Sequence, residues 1–166
     1  GNAGLTGRYY NGSVPQGEPV QVRTDRTVNF NWIFALPHSE LDANCFSVAW
    51  TGSVIMPKTM DGCIGLSTQA SMRLYVDNEL LIDGWGKDKS ADQVLDFHFE
   101  AGREYKIRIE FVNDGRAARV IFGYSEGREN FPAALEAVKK ADVAILCMGD
   151  NEETSGENFD RTDLNL

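Results

Sequence analysis

The stretch SGENFDR, Ser155 to Arg161, frames a glutamate with small, polar and ionic neighbours. A positioned carboxyl group can donate and then remove a proton, and Glu157 is of the residue type that does so. Read from the residues alone, Glu157 is a solvated loop carboxylate, because acidic loop residues are common and perturbed ones rare. Asp160 and Arg161 are of opposite charge and can pair to shape the loop, a pair that would add little while exposed. Glu152, Glu153, Glu157 and Asp160 supply oxygen atoms, but their spacing fits no EF-hand, which needs alternating ligands and a glycine at its sixth position. No metal and no cofactor is expected.

The second kind of chemistry is binding. A pyranose presents apolar C–H faces to an aromatic ring while polar neighbours take its hydroxyls. Trp85 lies in IDGWGKDKSAD, among Gly, Lys and Asp, at a loop edge. It reads either as a sugar contact, with Asp83 and Lys87 as polar neighbours, or as a tryptophan folded over the rim of its domain. Trp32 and Trp50 occupy inward-compatible strand positions and read as core. His98, between Phe97 and Phe99, reads as a strand-face residue, and His38 follows a proline in a loop with no evident partner.

The elements that must position these groups are mostly strands. In YKIRIEF, Tyr105, Ile107, Ile109 and Phe111 share one face and Lys106, Arg108 and Glu110 the other, the pattern of a half-buried strand. Met72, Leu74 and Val76 alternate likewise in MRLYVD, as do Phe46, Val48 and Trp50 in FSVAW. Asp77-Asn78 predicts a tight hairpin and Asp114-Gly115 a second turn, leading into ARVIFGY. Further strands are expected at LTGRYYN, TVNFNWI, CIGLSTQ, ELLIDG and VLDFHF. Many short strands with no helix among them predict a mainly β fold, an antiparallel sandwich or barrel, over residues 1–125.

The pattern changes over residues 126–166. Phe131, Leu135 and Val138 fall at i, i+4 and i+7, Pro132 suits a first turn, and Lys139 and Lys140 complement the helix dipole. VAILCMG then reads as a strand buried on both faces. One helix and one strand make a partial α/β unit that cannot cover its own faces. The tail after it, DNEETSGENFDRTDLNL, falls at the carboxyl end of that strand, where open α/β sheets place ligands.

At 166 residues the chain holds one full domain and part of a second. A net charge of −9 repels phosphate backbones and anionic lipid, so neither nucleic acid nor a membrane surface is an expected partner. No apolar run approaches the ~20 residues that span a bilayer. The opening GNAGLTGRYY has neither region of a signal peptide, and the compartment stays open. Cys45, Cys63 and Cys147 are an odd number without a C-x-x-C pair, so neither a disulfide framework nor a zinc site is indicated. Cys147 reads as core, and a meeting of Cys45 and Cys63 across a hairpin is left open.

Five segments in order, GLTGRYYN, NFNW, FSVAWTG, MRLYVDNELLIDGW and AGREYKIRIEF, resemble the protective-antigen type (PA-14) β-sandwich domain over residues 4 to about 125. That resemblance implies an antiparallel sandwich of a kind that recurs in toxins, adhesins and glycosidases. Its calcium-dependent adhesins use two adjacent aspartates in a loop, and this sequence has no Asp-Asp pair, which counts against a calcium lectin. LEAVKKADVAILCMGDNEETSGENFDRTDL is similar to the α/β sandwich domain of glycoside hydrolase family three, whose loop has the form G-E-x-x-D-R-x-x-L. Some β-glucosidases of that family carry a protective-antigen type insert just before this segment. The resemblance implies a retaining exo-glycosidase as parent, with Glu157 at the position of its general acid/base and the nucleophilic aspartate on a preceding barrel domain. No segment here matches that nucleophile, so the 166 residues alone should not hydrolyse glycosides. The expected partners are carbohydrate and the rest of the parent's barrel and α/β domains, with the insert lining the active-site entrance. Its rivals are a free-standing lectin-like module and a structural or dimerisation insert.

Overall fold

Alternating side chains make the strands, and their pairing makes two layers. The computed structural model describes residues 4–32, 35–86, 93–113, 115, 118–126, 132–143 and 145. Among these run β1 (Leu5–Asn11), β2 (Gln21–Asp25), β3 (Asn29–Asn31), β4 (Phe46–Ile55), β5 (Met60–Thr68), β6 (Ser71–Val76), β7 (Glu79–Gly84), β8 (Gln93–Phe99), β9 (Glu104–Asn113), β10 (Arg119–Ser125) and the helix α1 (Pro132–Lys140). Six strands form one antiparallel sheet in the order β2-β1-β4-β9-β6-β7, and four form another, β3-β10-β5-β8. The fold is the expected antiparallel β-sandwich followed by a short helix. The chain divides into two compact units, Gly1–Glu129 and Asn130–Leu166, and α1 belongs to the second.

Period two works as expected at the centre of the larger sheet. Tyr105, Ile107, Ile109 and Phe111 of β9, Met72, Leu74 and Val76 of β6, and Phe46, Val48 and Trp50 of β4 are all buried in one core. Asp77 and Asn78 take positive φ values of 52° and 69° in the β6–β7 hairpin, the conformation for which Asn and Asp are the tolerant side chains. Between the sheets an aromatic stack holds Trp32 at 4.8 Å from Phe30, with Trp50 at 6.0 Å from Phe30. Both tryptophans are core residues, Trp50 fully enclosed and Trp32 half-buried.

Three expectations change. QVRTD forms β2, which hydrophobic alternation does not announce. Cys45 precedes β4 in one sheet and Cys63 lies on β5 in the other, so they do not face each other across a hairpin and form no disulfide with each other. Val143 and Ile145 are exposed and outside any strand, since no described strand pairs with them. The remainder of VAILCMG lies outside the described residues.

β2 matters because it turns charge inward. The Asp25 carboxylate, 7% exposed, accepts hydrogen bonds from the Tyr9 hydroxyl at 2.6 Å, the Trp50 indole Nε1 at 2.7 Å and Arg23 Nε at 2.8 Å. Arg23 Nη2 also donates to the Tyr9 hydroxyl at 2.7 Å, with the guanidinium 4.6 Å from that ring's centroid. Gly7 is required here, since a Cβ on it would stand 2.5 Å from Asp25 Oδ2 and 2.9 Å from Trp50 Nε1. The network ties β1, β2 and β4 together at one edge of the sheet.

Burial, and then the hydrogen bond to Asp25, raise the Tyr9 pKa above the ordinary phenol range. An unfolded tyrosine ionises near pH ~10, while folded Tyr9 keeps its proton. The stability it contributes is therefore complete below about pH 10 and is lost as pH rises towards the folded value. A spectrophotometric titration of the five tyrosines is expected to show at least one phenol, that of Tyr9, that ionises only on unfolding. Five ordinary transitions in a folded protein would contradict this.

Candidate functional site

β4, ten residues long, gives the sandwich two ends. At its Ile55 end, Gly4, Asp25, Thr27, Val54, Phe122 and Tyr124 line a cleft of about 330 Å³. A second cleft of about 240 Å³ continues past Tyr124 to Met56, Met60 and Glu126. The beginning of β1 and the end of β10 thus adjoin. At the Phe46 end, Phe46 pairs with Asn113, Ser71 with Val112 and Met72 with Gly84. Residues 84–86 are therefore level with Val48 to Phe46 at the far end, about 20–26 Å along the strands from Val54 at ~3.3 Å per residue.

At that far end two of the three expected rim residues come together. Asp83 Oδ1 accepts from Arg73 Nε at 3.0 Å and from the Trp85 backbone N–H at 3.2 Å, an Asx-type turn that aims the tryptophan. The Arg73 guanidinium sits 4.6 Å from the Trp85 ring centroid, a cation–π arrangement. Its hydrogen bond to Asp83 raises the Arg73 pKa further, so the cation is permanent. Gly86, at φ 111°, closes the turn by donating its N–H to Ser71 Oγ at 3.1 Å. Lys87 lies outside the described residues, as does Glu157.

An aromatic ring and a held cation can make contacts, and neither is a base or a nucleophile. Asp83 is committed to Arg73 and the turn, so it offers no free base. One face of the half-buried Trp85 ring is taken by the guanidinium, and a sugar would have to meet the other face or the edge. Next to it, on the outward face of the six-stranded sheet, Arg73 pairs in register with Glu110, and Tyr75 with Arg108. Arg108 lies 3.5 Å from the Tyr75 ring centroid and forms an ion pair with Glu110. Sequence reading missed this extension. Alternation marked Arg108 and Glu110 as outward-facing, but only the β6–β9 register puts them beside Arg73 and Tyr75.

His98 is on the outward face of β8, with Nδ1 2.6 Å from Asp61 Oδ1. His38 does have a partner, a local one, since its Nδ1 accepts from the Glu40 N–H at 3.2 Å. Among the described residues no three His, Cys, Asp or Glu side chains converge as a metal site.

Comparison with known proteins identifies the fold. Residues 1–131 match the PA14 domain. The chain belongs to the PA14 domain family. Among curated relatives of this PA14 chain, the anti-sigma-I factor RsgI3 of Acetivibrio thermocellus is 31% identical over 76% of the chain and 20% of its own length. A beta-glucosidase of Rhizobium radiobacter is 28% identical over 98% of the chain and 22% of its own. The chain thus spans about a fifth of the length of the curated relatives it matches. Of solved structures, the beta-glucosidase from Kluyveromyces marxianus in complex with glucose superposes with a TM-score of 0.64 at 19% identity, covering 84% of this chain and 18% of that one. A PA14 sugar-binding domain from an RTX adhesin gives 0.57 at 14% identity, covering 76% of this chain and 91% of that one. At those identities the two structures establish a shared sandwich.

Proposed function

We propose that this PA14 domain is an insert of a β-glucosidase-like retaining glycosidase of family three, where its 83–90 loop lines the active-site entrance and selects among carbohydrate substrates. The observation that carries this reading is the placement of ends. β1 begins and β10 ends at one cleft, as an insert's two connections to a host must, and the Asp83–Trp85–Arg73 cluster stands at the opposite end. A domain so attached holds its cluster away from its own base, where it can lean over a neighbouring site. The match to the Rhizobium radiobacter beta-glucosidase across 98% of the chain, beyond the sandwich and into residues 126–166, supports a host of that kind.

The chemistry itself belongs to the host. A retaining glycosidase needs two carboxylates about 5–5.5 Å apart, one to attack the anomeric carbon and one to protonate the leaving oxygen and then deprotonate water. In this proposal Glu157 is the second, and the insert contributes by differential binding of competing transition states, read as a ratio of kcat/KM values. Rim contacts reach the sugar beyond the scissile bond, so an aglycone that is a second sugar feels them and a small aryl group does not.

Deleting residues 83–90 in the full-length enzyme is accordingly expected to change the kcat/KM ratio between disaccharide and longer oligosaccharides by roughly tenfold, about the 1–3 kcal/mol of a rim contact. Hydrolysis of an aryl glucoside should stay within about twofold. An equal loss on all substrates would count against an entrance role.

A further inference from the structure

Three of the four sheet edges are protected against pairing with another strand. β2 turns Arg23 and Asp25 inward, β3 is three residues long, and β7 carries a register shift against β6 and the charges of Glu79 and Asp83. Inward charge, shortness and irregularity are the usual devices that keep a sheet edge from pairing. β8 is neither short nor irregular, and its one carboxylate, Asp96, is exposed and not turned inward. Its seven residues, QVLDFHF, contain no Lys, Arg, Pro or Gly and pair with β5 without a shift from Met60↔Phe99 to Leu66↔Gln93. Val94 is 44% exposed and Leu95 39%.

We propose that β8 is an interaction edge for a second copy of this chain, which adds its own β8 antiparallel about a twofold axis at Phe97 and joins two four-stranded sheets into one. The register follows from parity. Opposed residues must share a face, so a twofold antiparallel pair sets one residue opposite its own copy. Centred on Asp96 it opposes two carboxylates. Centring on Leu95 sets Val94 against Asp96, and centring on His98 sets Asp96 against Glu100. At Phe97 the pairing sets ring against ring, Leu95 against Phe99, and Asp96 of each copy against His98 of the other. That register matches apolar with apolar from Leu95 to Phe99 and brings Asp96 beside a His98 whose Nδ1 stays on Asp61 of its own chain, with Val94 meeting Glu100 only at the flanks of the pairing.

One strand pair buries less than the ~1,200–2,000 Å² of a stable interface, so the association is weak and concentration-dependent. Sedimentation equilibrium of the 166-residue chain over roughly 10 µM to 1 mM is expected to show monomer and dimer. Asp96→Lys removes the carboxylate that faces the imidazole, and His98→Glu sets two carboxylates opposite each other; each is expected to raise the dissociation constant about tenfold or more. The double change Asp96→Lys with His98→Glu restores opposed signs and should return it to within about threefold of the original. Near-UV circular dichroism of each variant confirms the fold. A chain that stays monomeric throughout overturns the proposal, as does a dimer that survives the single changes or is not recovered by the double one.

Discussion

Replacing Asp25 with alanine is expected to remove about 3–5 kcal/mol from the stability of the sandwich, a loss typical of breaking a buried charged network from one side. The Arg23 side chain is 31% exposed and water can satisfy part of it, so its ion pair with Asp25 accounts for a minor share. Most of the loss comes from Tyr9 and Trp50, whose hydroxyl and indole N–H are left in the core without an acceptor, at about 1–3 kcal/mol for each orphaned group. Asp25→Asn should cost less, because its carbonyl can still serve Tyr9 and Trp50 while its amide N–H₂ faces the Arg23 donor. Urea unfolding measures both through a shift in midpoint at unchanged slope. A loss below about 1 kcal/mol for Asp25→Ala would mean that the network relaxes or fills with water.

In the proposed host enzyme, Glu157→Gln is expected to lower kcat by about 10²–10⁴ on a disaccharide, the usual contribution of a positioned acid/base. The effect should depend on the leaving group. A sugar alkoxide must be protonated as it departs and loses the full factor, whereas a dinitrophenolate departs unaided and its glycosylation step is nearly spared. Deglycosylation still needs a base, so the glycosyl-enzyme accumulates and a burst of phenolate precedes a slow steady state. The alkaline limb of the pH profile should flatten with the acid gone. Unchanged kinetics on both substrates would assign the role to another carboxylate and leave Glu157 as a solvated loop residue.

The two expected losses differ in how readily sequence reveals them. Glu157 stands in a contiguous pattern, G-E-x-x-D-R-x-x-L, that a linear reading can match. Asp25 has no such pattern. Its partners lie 16 and 25 residues away on β1 and β4, and QVRTD alternates too weakly to announce itself as a strand. The rim cluster lies between these cases. Asp83 and Trp85 are neighbours in IDGWG and were legible as a loop edge, whereas Arg73, which covers Trp85 and holds Asp83, reaches them only across the β6–β7 hairpin.

By itself the sequence determined whatever depends on local periodicity and turn chemistry. Apolar alternation in YKIRIEF and FSVAW set the inward faces, Asp77-Asn78 set the hairpin, and Pro132 with Lys139 and Lys140 bounded the helix. Each depends on residues within a few positions, where backbone sterics and amphipathicity act. Only the tertiary structure decided which strands neighbour one another, and with that the inward turn of Asp25, the separation of Cys45 from Cys63 and the edge position of β8. It also placed the cluster of Asp83 and Trp85 opposite the end where β1 begins and β10 ends. Those outcomes follow from β1, β4 and β9 pairing across the middle of one sheet, contacts as distant in sequence as Phe46 and Asn113, whose pairing energies no short window contains.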